Sequence, residues 1–485
     1  MGNELSSIDS RLSWAPSWRA FAVAVGLTGL ILLFGFAELS HNYMVFVVAA
    51  GVTLPFFWLF RPMSLIYCFL FLIPLWPKLP LVPMRGFLVS IRLEDFCIVA
   101  FLAVVLLRRV FRPGTGLPLD FLKPVLVFLF CCALSTAFGV AILGSVDTET
   151  GFLFFFRLVE YFSVALISFA LIRNHADLDK LIVALAAACL AVDAYAMLQE
   201  FGLVPVFNAS HMSGDLVLVY FLTEGFGSDR LAATFAGAVD LAGFYVVVMP
   251  TFLLLALEET ISSFARAAYF FLFALSLLCM YLTYSRGALV GLALGLGMAL
   301  WLTGRRRLTM ALVPLAIVPA LFLEGFADRL NELLDFGSQA PSLTSRFQES
   351  WVPAWHSFMR SPFIGTGLGS LRGEGIGIDG FYVFILGMTG IVGLVAFLWV
   401  VRIVLTTLYL LFRDVNSSPM VRIFACGIFA STVGLLINAV FTDVFTLSKV
   451  AEIYWFLIGA LFAAEGFSRR SPRVVSNLVR TGTTI

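Results

Sequence analysis

Residues 267–303 read AAYFFLFALSLLCMYLTYSRGALVGLALGLGMALWLT. Two apolar runs meet in this stretch at a short polar break formed by Tyr284, Ser285 and Arg286. Each run is close to the roughly 20 apolar residues that an α-helix needs to cross a bilayer. Neither run alternates apolar and polar residues as a barrel strand does. The stretch therefore predicts two membrane-spanning helices joined by a tight hairpin.

The composition of the whole chain agrees with this stretch. Of the 485 residues, 61% are hydrophobic and 13% are charged, and the mean hydropathy is +0.99. Soluble domains are about half apolar and about a quarter charged, so a water-soluble globular enzyme is excluded. A disordered chain is excluded as well, because it requires low hydrophobicity. Since only helices and closed barrels can span lipid, the predicted fold class is all-α, a polytopic transmembrane helical bundle.

The net charge, the cysteines and the histidines limit which partners and cofactors the sequence predicts. The net charge of +1 gives no sign of a nucleic-acid-binding surface, so we expect no nucleic-acid partner. The 7 cysteines lie inside apolar runs without a CxxC pair, and the 4 histidines lack the spacing of a metal site. We therefore expect neither a metal nor a soluble cofactor.

The apolar pattern predicts the spans and their orientation. With the N-terminus inside, the positive-inside rule places Arg or Lys in every inner connection of this count. If two segments are re-entrant rather than spanning, twelve spans remain and both termini stay inside, so we expect about twelve to fourteen spans with both termini cytoplasmic. The fourteen segments are approximately 20–38, 43–60, 63–77, 94–107, 122–143, 154–172, 180–198, 240–257, 267–284, 287–303, 308–323, 380–401, 421–438 and 452–466.

This topology divides the chain into four regions and leaves two long polar stretches on the outer face. Trp351 and Trp355 are four positions apart and would share a helix face, so the second stretch is predicted to be partly helical. Chemistry is expected on this outer face. The regions are 1–198, transmembrane helices; 199–323, transmembrane helices with outer loop 199–239 and the Ser-Arg-Gly hairpin; 324–379, a large extracytoplasmic loop; and 380–485, transmembrane helices and a cytoplasmic tail.

Two arginines that are predicted on the outer face need a functional or structural explanation. Arginine is costly at membrane depth, and an arginine on the outer side opposes the positive-inside rule. Arg286 must lie at or just below the outer lipid surface, where a guanidinium favours an anion that it can grip with two bonds. The N-terminus of the following helix would add N–H donors. The alternative for Arg286 is a side chain that reaches the headgroups and only fixes the hairpin. The alternative for Arg230 is a salt bridge to Asp229 or Asp240, or a contact with a phospholipid.

The large outer loop offers further candidates. Arg346 opens the amphipathic segment, and His356 within it is a candidate base, although a lone histidine is more often a surface residue. Gly365 and Gly367 belong to a glycine turn where backbone can approach a ligand. Asp379 precedes a long span, so it is either a helix N-cap or a carboxylate that acts as a general base.

Charges inside the spans favour structural pairing. Arg157 and Glu160 are three positions apart, so they can form an ion pair on one helix face. Asp193 lies within another span, and such a residue can instead mark a transport pathway.

Three blocks of these residues resemble the bacterial O-antigen ligase and polymerase superfamily, membrane glycosyltransferases that act on polyprenyl-linked sugars. Asp240 stands where that superfamily usually has Asn. The blocks are Arg230-Leu231-Ala232-Ala233-Thr234-Phe235 with Asp240 and Gly243; Tyr284-Ser285-Arg286-Gly287-Ala288; and Arg346, Trp351, Pro362, Gly365-Thr366-Gly367-Leu368-Gly369, Asp379 and Gly390-Ile391-Val392-Gly393.

The third block separates the two branches of this superfamily. The ligase branch has His followed by Asn, Ser or Gln, nine residues, and Gly-x-x-Gly. This sequence keeps the spacing to Gly390 and Gly393 but has Asp379-Gly380 in place of the His pair. An acid at this position is more similar to the polysaccharide polymerase branch.

The resemblance implies a metal-independent glycosyltransferase of the bacterial inner membrane that polymerises polyprenyl-diphosphate-linked oligosaccharide units. Arg286 and Arg230 would grip the diphosphate, and Asp379 would activate the acceptor hydroxyl. Its partners would be the lipid-linked glycan, membrane lipid, a chain-length regulator and other polysaccharide assembly proteins. A ligase acting on a lipid or protein acceptor is the alternative, and a polysaccharide or lipid transporter is the alternative from another class. The expected substrate-binding residues are Arg346, Tyr284, Ser285, Gly365, Gly367 and His356.

Overall fold

The computed structural model describes residues 118–203, 230–235, 237–310, 346–371 and 379–480, together with scattered positions from 67 to 102. All of these belong to one unit, Pro62–Ile485. The predicted spans 20–38, 43–60 and 308–323 lie outside the described residues or nearly so, and 63–77 and 94–107 are described only in part.

The described part of the chain is built almost entirely of long helices. One short antiparallel pair, β1 (Pro80–Val82) and β2 (Ile91–Arg92), is the exception among these residues. The helices are α1 (Leu119–Phe138), α2 (Thr148–Leu171), α3 (His175–Glu200), α4 (Ala238–Ala256), α5 (Ser263–Leu282), α6 (Arg286–Leu302), α7 (Val352–Arg360), α8 (Phe381–Arg413), α9 (Pro419–Asn438) and α10 (Ser448–Arg480).

Seven helices in the described residues are long and apolar enough to cross a membrane. They are α1 with its π-helical extension to Leu143, α2, α3, α4, α5, α8 and α9. The apolar helix α6 is shorter, and the predicted span 452–466 lies within α10. The prediction of a multi-pass all-α membrane protein is confirmed.

The hairpin between α5 and α6 is as tight as the sequence predicts. Helix α5 ends at Leu282 and α6 begins at Arg286. We call the end of the bundle that carries this hairpin the outer end, and the opposite end the inner end. The C-terminus of α9 and the N-termini of α4, α8 and α10 also lie at the outer end, because backbone contacts join them there.

Small residues bring α6 against α9. Gly287, Gly291 and Gly295 repeat every four positions on α6 and so share one face. A Cβ at Gly291 would collide with the carbonyl oxygen of Gly434, and one at Gly295 with that of Ala430. Close backbone approach through small residues is a common way for helices to pack in lipid, and it fixes the helix that carries Arg286.

Helix α8 is interrupted at Gly390, whose φ of +66° is not helical. The segment Ser361–Leu371, which we call the glycine turn, fills the break. Its Gly367 N–H donates to the carbonyl of Met388 at 2.9 Å, and its Pro362 carbonyl accepts from Ile391 N–H at 2.9 Å. The turn therefore pairs backbone groups on both sides of the break, as membrane depth demands.

The charges buried inside the spans are paired. Arg157 on α2 donates to Asp95 at 2.6 Å and to Glu160 at 2.9 Å, so the predicted ion pair is confirmed and gains a third member. Asp193 on α3 accepts from the hydroxyls of Tyr245 on α4 and Ser276 on α5, each at 2.7 Å. Asp193 thus joins three helices through a buried hydrogen-bond network.

Candidate active site

The hairpin holds Arg286 at the start of a helix. Thr283 closes the last turn of α5, with its hydroxyl donating to the Met280 carbonyl at 2.7 Å. Tyr284 then turns the chain with a φ of +51°, and its side chain is exposed. Ser285 is the N-cap residue of α6, is buried, and forms no side-chain hydrogen bond to the first turn. Arg286 follows as the first helical residue.

The segment Arg230–Phe235, which we call the outer strap, lies directly on this hairpin. The Arg230 Nε donates to the Thr283 carbonyl at 2.9 Å, and the Leu231 N–H donates to the Leu282 carbonyl at 3.1 Å. Arg230 and Arg286 are thus placed on two adjoining segments, although they are distant in sequence.

The outer strap is anchored from three other directions. Gln199, the penultimate residue of α3, accepts from the Ala233 N–H at 2.7 Å. The Thr234 hydroxyl donates to the Pro74 carbonyl at 2.6 Å. Lys449 at the start of α10 is only 3% exposed and donates to the Thr234 carbonyl at 2.7 Å and to the Pro74 carbonyl at 3.1 Å. Its ammonium also lies 4.9 Å from the ring centre of Phe235.

Backbone strain is concentrated in these two segments. Among the described residues, Ala233 (φ +48°) and Tyr284 (φ +51°) are the non-glycine residues with positive φ. Ala233 is three positions after Arg230, and Tyr284 is two before Arg286. Such conformations cost about 1–3 kcal/mol each and persist where the surrounding structure over-determines them, which occurs often at functional sites.

The start of α8, which follows Asp379, packs on the turn between α9 and α10. The Phe381 N–H, at the start of α8, donates to the carbonyls of Ala439 at 2.8 Å and Thr442 at 3.2 Å. A Cβ at Gly287 would lie 2.9 Å from the side chain of Phe441 in this turn. The turn therefore separates the start of α8 from the start of α6 by little more than one aromatic side chain.

Trp351 fixes the backbone beside Asp379. Its indole N–H donates to the Asp379 carbonyl at 2.9 Å, while its ring stays partly exposed. The N-cap residue of α8 is Gly380, with a φ of +107°, so the alternative that Asp379 caps this helix is wrong. A role of Asp379 as a general base stays a prediction.

Three helix N-termini at this centre lack side-chain caps. Gly237, Ser285 and Gly380 are the N-cap residues of α4, α6 and α8, and none forms a side-chain cap hydrogen bond. The N-terminal end of a helix carries partial positive charge and N–H donors. Together with Arg230 and Arg286, these ends make the outer centre suited to a negatively charged group.

Two further predicted substrate-binding residues, Arg346 and His356, lie in the segment that precedes the glycine turn. Arg346 begins the π-helical turn Arg346–Trp351 that leads into α7, and its side chain lies outside the described part. His356 is exposed on α7. The predicted amphipathic helix is confirmed by α7, on which Trp355 and Met359 are exposed.

The glycines of the glycine turn are explained by packing within the protein. Gly365 and Gly367 have φ of +83° and +98°. A Cβ at Gly365 would collide with the Met388 carbonyl, and one at Gly367 would lie 3.3 Å from the Cα of Gly139. These contacts account for both glycines, and ligand contact by this backbone stays a prediction.

A comparison with known families adds to this geometry. The family described as O-antigen ligase matches residues 271–398. This match supports the resemblance to the O-antigen ligase and polymerase superfamily. It covers the hairpin, α7, the glycine turn, Asp379 and the Gly390 break, while Arg230 lies before it. No curated protein matches the chain.

The match supports a class of activity and leaves the finer reaction open. It supports a multi-pass membrane enzyme of ligase or polymerase type, and the matched family implies lipid-linked glycan substrates. Sequence reasoning missed Gln199 and Phe441, because neither residue carries a charge or belongs to a motif. Among the described residues, no three His, Cys, Asp or Glu side chains come together as a metal site.

Proposed function

We propose that this protein polymerises oligosaccharide units carried on polyprenyl diphosphate, at the outer face of the bacterial inner membrane. The observation that supports it most strongly is the hydrogen-bonded junction between the outer strap and the hairpin, 2.9 Å from Arg230 Nε to the Thr283 carbonyl. This junction brings two arginine-bearing segments to one end of the bundle, beside uncapped helix ends.

The donor diphosphate is held by Arg230 and Arg286. Guanidinium groups form paired, charge-assisted hydrogen bonds with phosphate oxygens, and the N-terminus of α6 adds N–H donors. As the bond from the anomeric carbon to the diphosphate oxygen breaks, its electron pair leaves with the diphosphate. Cations already in place stabilise that developing charge without reorganisation.

The acceptor is a hydroxyl of a second lipid-linked unit, and Asp379 accepts its proton. The hydroxyl oxygen forms the new bond to the anomeric carbon from the side opposite the diphosphate, which inverts that centre. Trp351 holds the Asp379 backbone, and its exposed ring offers a surface for a sugar. Arg346 and His356 line the acceptor side, next to membrane lipid and the assembly partners that set chain length.

The acid at position 379 favours polymerisation over ligation. The ligase branch uses a histidine at this place, and this chain has Asp379-Gly380 with the same spacing to Gly390. A ligase that transfers finished glycan to a lipid or protein is the second candidate, and the family match is equally compatible with it.

Transport is disfavoured, because the broken helix and the buried aspartate that would support it already have hydrogen-bond partners within the protein. The break in α8 is filled by the glycine turn rather than by an open cavity. Asp193 accepts two hydroxyl hydrogen bonds and so is committed to the helix interface. Binding sites of transporters instead leave broken helix ends available to the substrate.

The decisive experiment uses the purified full chain in detergent with a lipid-linked oligosaccharide as sole glycan. Polymerisation yields a ladder of longer lipid-linked products without any added acceptor. Product that appears only after a lipid or protein acceptor is added would establish ligation. Loss of donor from one leaflet without new glycosidic bonds, measured in vesicles, would establish transport.

Asp379 can be tested through the pH dependence of this assay. A general base must be deprotonated, so the wild-type rate falls as the pH is lowered. Asp379→Asn is expected to be about 10²–10⁴-fold slower and to lose that pH dependence. Asp443→Asn, a change at another outer-end acid, is the matched control and keeps the wild-type pH profile. An Asp379→Asn enzyme with wild-type rate would remove Asp379 from the mechanism.

A further inference from the structure

A second cationic region lies at the inner end, away from the proposed active site. A pocket of about 650 Å³ opens there between the ends of α4, α6 and α8 and the start of α9. Its volume is in the range of small-molecule sites. The family resemblance and the proposed reaction assign nothing to it.

Three guanidinium groups and one carboxylate line this inner pocket: Arg305, Arg413, Arg422 and Glu258. The excess of positive charge is therefore two. Within the described residues, none of the three arginines forms an ion pair with an acid. The nearby carboxylates therefore offset this positive charge only in part, and the pocket favours an anionic ligand.

Two of these arginines are fixed in place by the backbone. Arg305 donates from Nη2 to the Leu257 carbonyl, at the end of α4. Arg422 donates from Nε to the Phe412 carbonyl at 3.0 Å, in the last turn of α8. Each bond uses part of a guanidinium group that has five N–H donors. The remaining donors are pre-positioned on opposite walls of the pocket.

The acidic groups nearby are engaged locally. The Glu258 carboxylate accepts from the Thr260 hydroxyl at 2.9 Å. The Asp414 carboxylate accepts from the Asn416 N–H at 3.0 Å and from the Ser417 hydroxyl at 2.9 Å. These bonds, and then the charge of Arg422, lower the pKa of Asp414, so it stays ionised within its own turn.

The rest of the lining is apolar. Leu254, Leu302, Phe412 and Ile423 line the pocket, and Phe412 and Ile423 pack on the buried cluster that contains Leu254. A cationic rim over an apolar wall complements a molecule with a phosphate at one end and a hydrocarbon chain at the other. Basic pockets between transmembrane helices at the cytoplasmic surface bind anionic lipid headgroups in this way.

We propose that the inner pocket binds the headgroup of an anionic phospholipid, with Arg305, Arg413 and Arg422 around its phosphate. The acyl chains lie along the apolar wall. The lipid links the ends of α4, α6, α8 and α9, so it stabilises the same helices that carry the outer site. This site exists whether the enzyme is a polymerase or a ligase.

Binding to the purified, delipidated full chain tests this proposal. The protein in mild detergent is titrated with dioleoyl-phosphatidylglycerol, dioleoyl-phosphatidylcholine or inorganic phosphate. Thermal unfolding and native mass spectrometry measure the response. We expect phosphatidylglycerol to bind at least about tenfold more tightly than phosphatidylcholine, since each arginine near the surface contributes roughly one kcal/mol toward an anionic lipid. Phosphate alone should give no stabilisation.

Matched variants test whether the lipid binds in the inner pocket. The pair Arg305→Gln and Arg422→Gln is expected to weaken phosphatidylglycerol binding at least about tenfold. The pair Arg307→Gln and Arg402→Gln removes the same charge from exposed residues outside the pocket and should change binding less than about twofold. Arg413→Gln disturbs no hydrogen bond seen among the described residues and should weaken binding about threefold.

Three results would overturn the proposal. The first is equal binding of phosphatidylglycerol and phosphatidylcholine, and the second is an equal loss in both double variants. The third is full stabilisation by inorganic phosphate, which would make the pocket a simple anion site. Arg413→Gln keeps the test decisive if the Arg305 and Arg422 changes prevent folding.

Discussion

The two ends of the bundle both carry arginines, but their backbones are built differently. At the inner end, α5 and α9 begin with serine caps: Ser262 accepts from Ala265 N–H and Ser418 from Val421 N–H. At the outer end, α4, α6 and α8 begin without side-chain caps. The positive-φ residues Ala233 and Tyr284 also lie only at the outer end of the described chain.

This difference distinguishes arginines that are explained by membrane topology from arginines that are explained by chemistry. The inner-end arginines are those that the positive-inside rule predicts on the cytoplasmic side, and they lie at ordinary helix ends. Arg230 and Arg286 lie at the opposite end of the bundle, on strained segments held by Lys449, Gln199 and Thr283. Strain and uncapped helix ends reduce stability. Their concentration around Arg230 and Arg286 therefore supports a catalytic purpose for this end.

The largest expected effect comes from removing the hairpin arginine. Arg286→Ala should lower the rate of glycan elongation about 10²–10³-fold, because a preorganised donor to the leaving group is lost. Arg286→Lys should recover only part of the rate, since lysine lacks the planar fork. Arg307→Ala, an exposed inner-end arginine, is the control and should leave the rate unchanged. Long glycan at wild-type levels from Arg286→Ala would contradict the assignment.

The next effect concerns how the outer strap is positioned. Lys449→Met keeps much of the volume but leaves the buried carbonyls of Thr234 and Pro74 without their donor. An unsatisfied buried acceptor costs about 1–3 kcal/mol, so the outer strap should loosen. We expect KM for the lipid-diphosphate donor to rise about tenfold, with partial rescue by Lys449→Arg. A purely structural role would lower thermal stability and leave KM unchanged.

A smaller effect is expected on stability rather than chemistry. Gly291→Ala places a methyl group on the Gly434 carbonyl, and overpacking of this kind costs about 1–3 kcal/mol. Gly466→Ala on α10 is the matched control, because its added Cβ has open space. The thermal unfolding temperature in detergent should drop for Gly291→Ala and not for Gly466→Ala. Equal unfolding temperatures would show that α6 and α9 are not in close contact.

The smallest effect concerns the capped outer helix α2, which contrasts with uncapped α6. The Asp147 carboxylate accepts hydrogen bonds from Thr150, which lower the pKa of Asp147. This stabilisation is present above the ordinary aspartate pKa and is lost as the pH falls through the lowered value. Asp147→Ala should cost about 1 kcal/mol at neutral pH and progressively less in acid. A loss of stability that is the same at every pH would contradict the capping role of the Asp147 carboxylate.

Much of the architecture follows from local sequence signals. Hydropathy placed α1 to α6, α8 and α9 and the apolar part of α10, because burial in lipid demands continuous apolar runs. It ended α8 and α10 too early, at residues 401 and 466, whereas these helices run to Arg413 and Arg480. The four-residue spacing of Trp351 and Trp355 predicted α7. The same reasoning found the hairpin and its arginine, since a charged residue between two apolar runs can be recognised from the sequence alone.

Other features had weak signals that could have been used. The four-residue repeat of Gly287, Gly291 and Gly295 marks a close helix contact, and we did not use it. The glycine turn was interpreted as a ligand surface, whereas Gly365 and Gly367 pack against α8 and α1. A positive φ predicts where glycine is required, but it does not tell which neighbour approaches.

By itself, the sequence determined that this protein is a helical membrane bundle with an arginine in the hairpin between two apolar runs, and it carried the superfamily resemblance. The tertiary structure alone decided that Arg230 meets Thr283, 53 positions away, and that Lys449 meets Thr234 across 215 positions. It alone assembled the inner pocket from four helix ends. The physical reason is that hydropathy and helix period are properties of neighbouring residues, while such contacts depend on how whole helices pack.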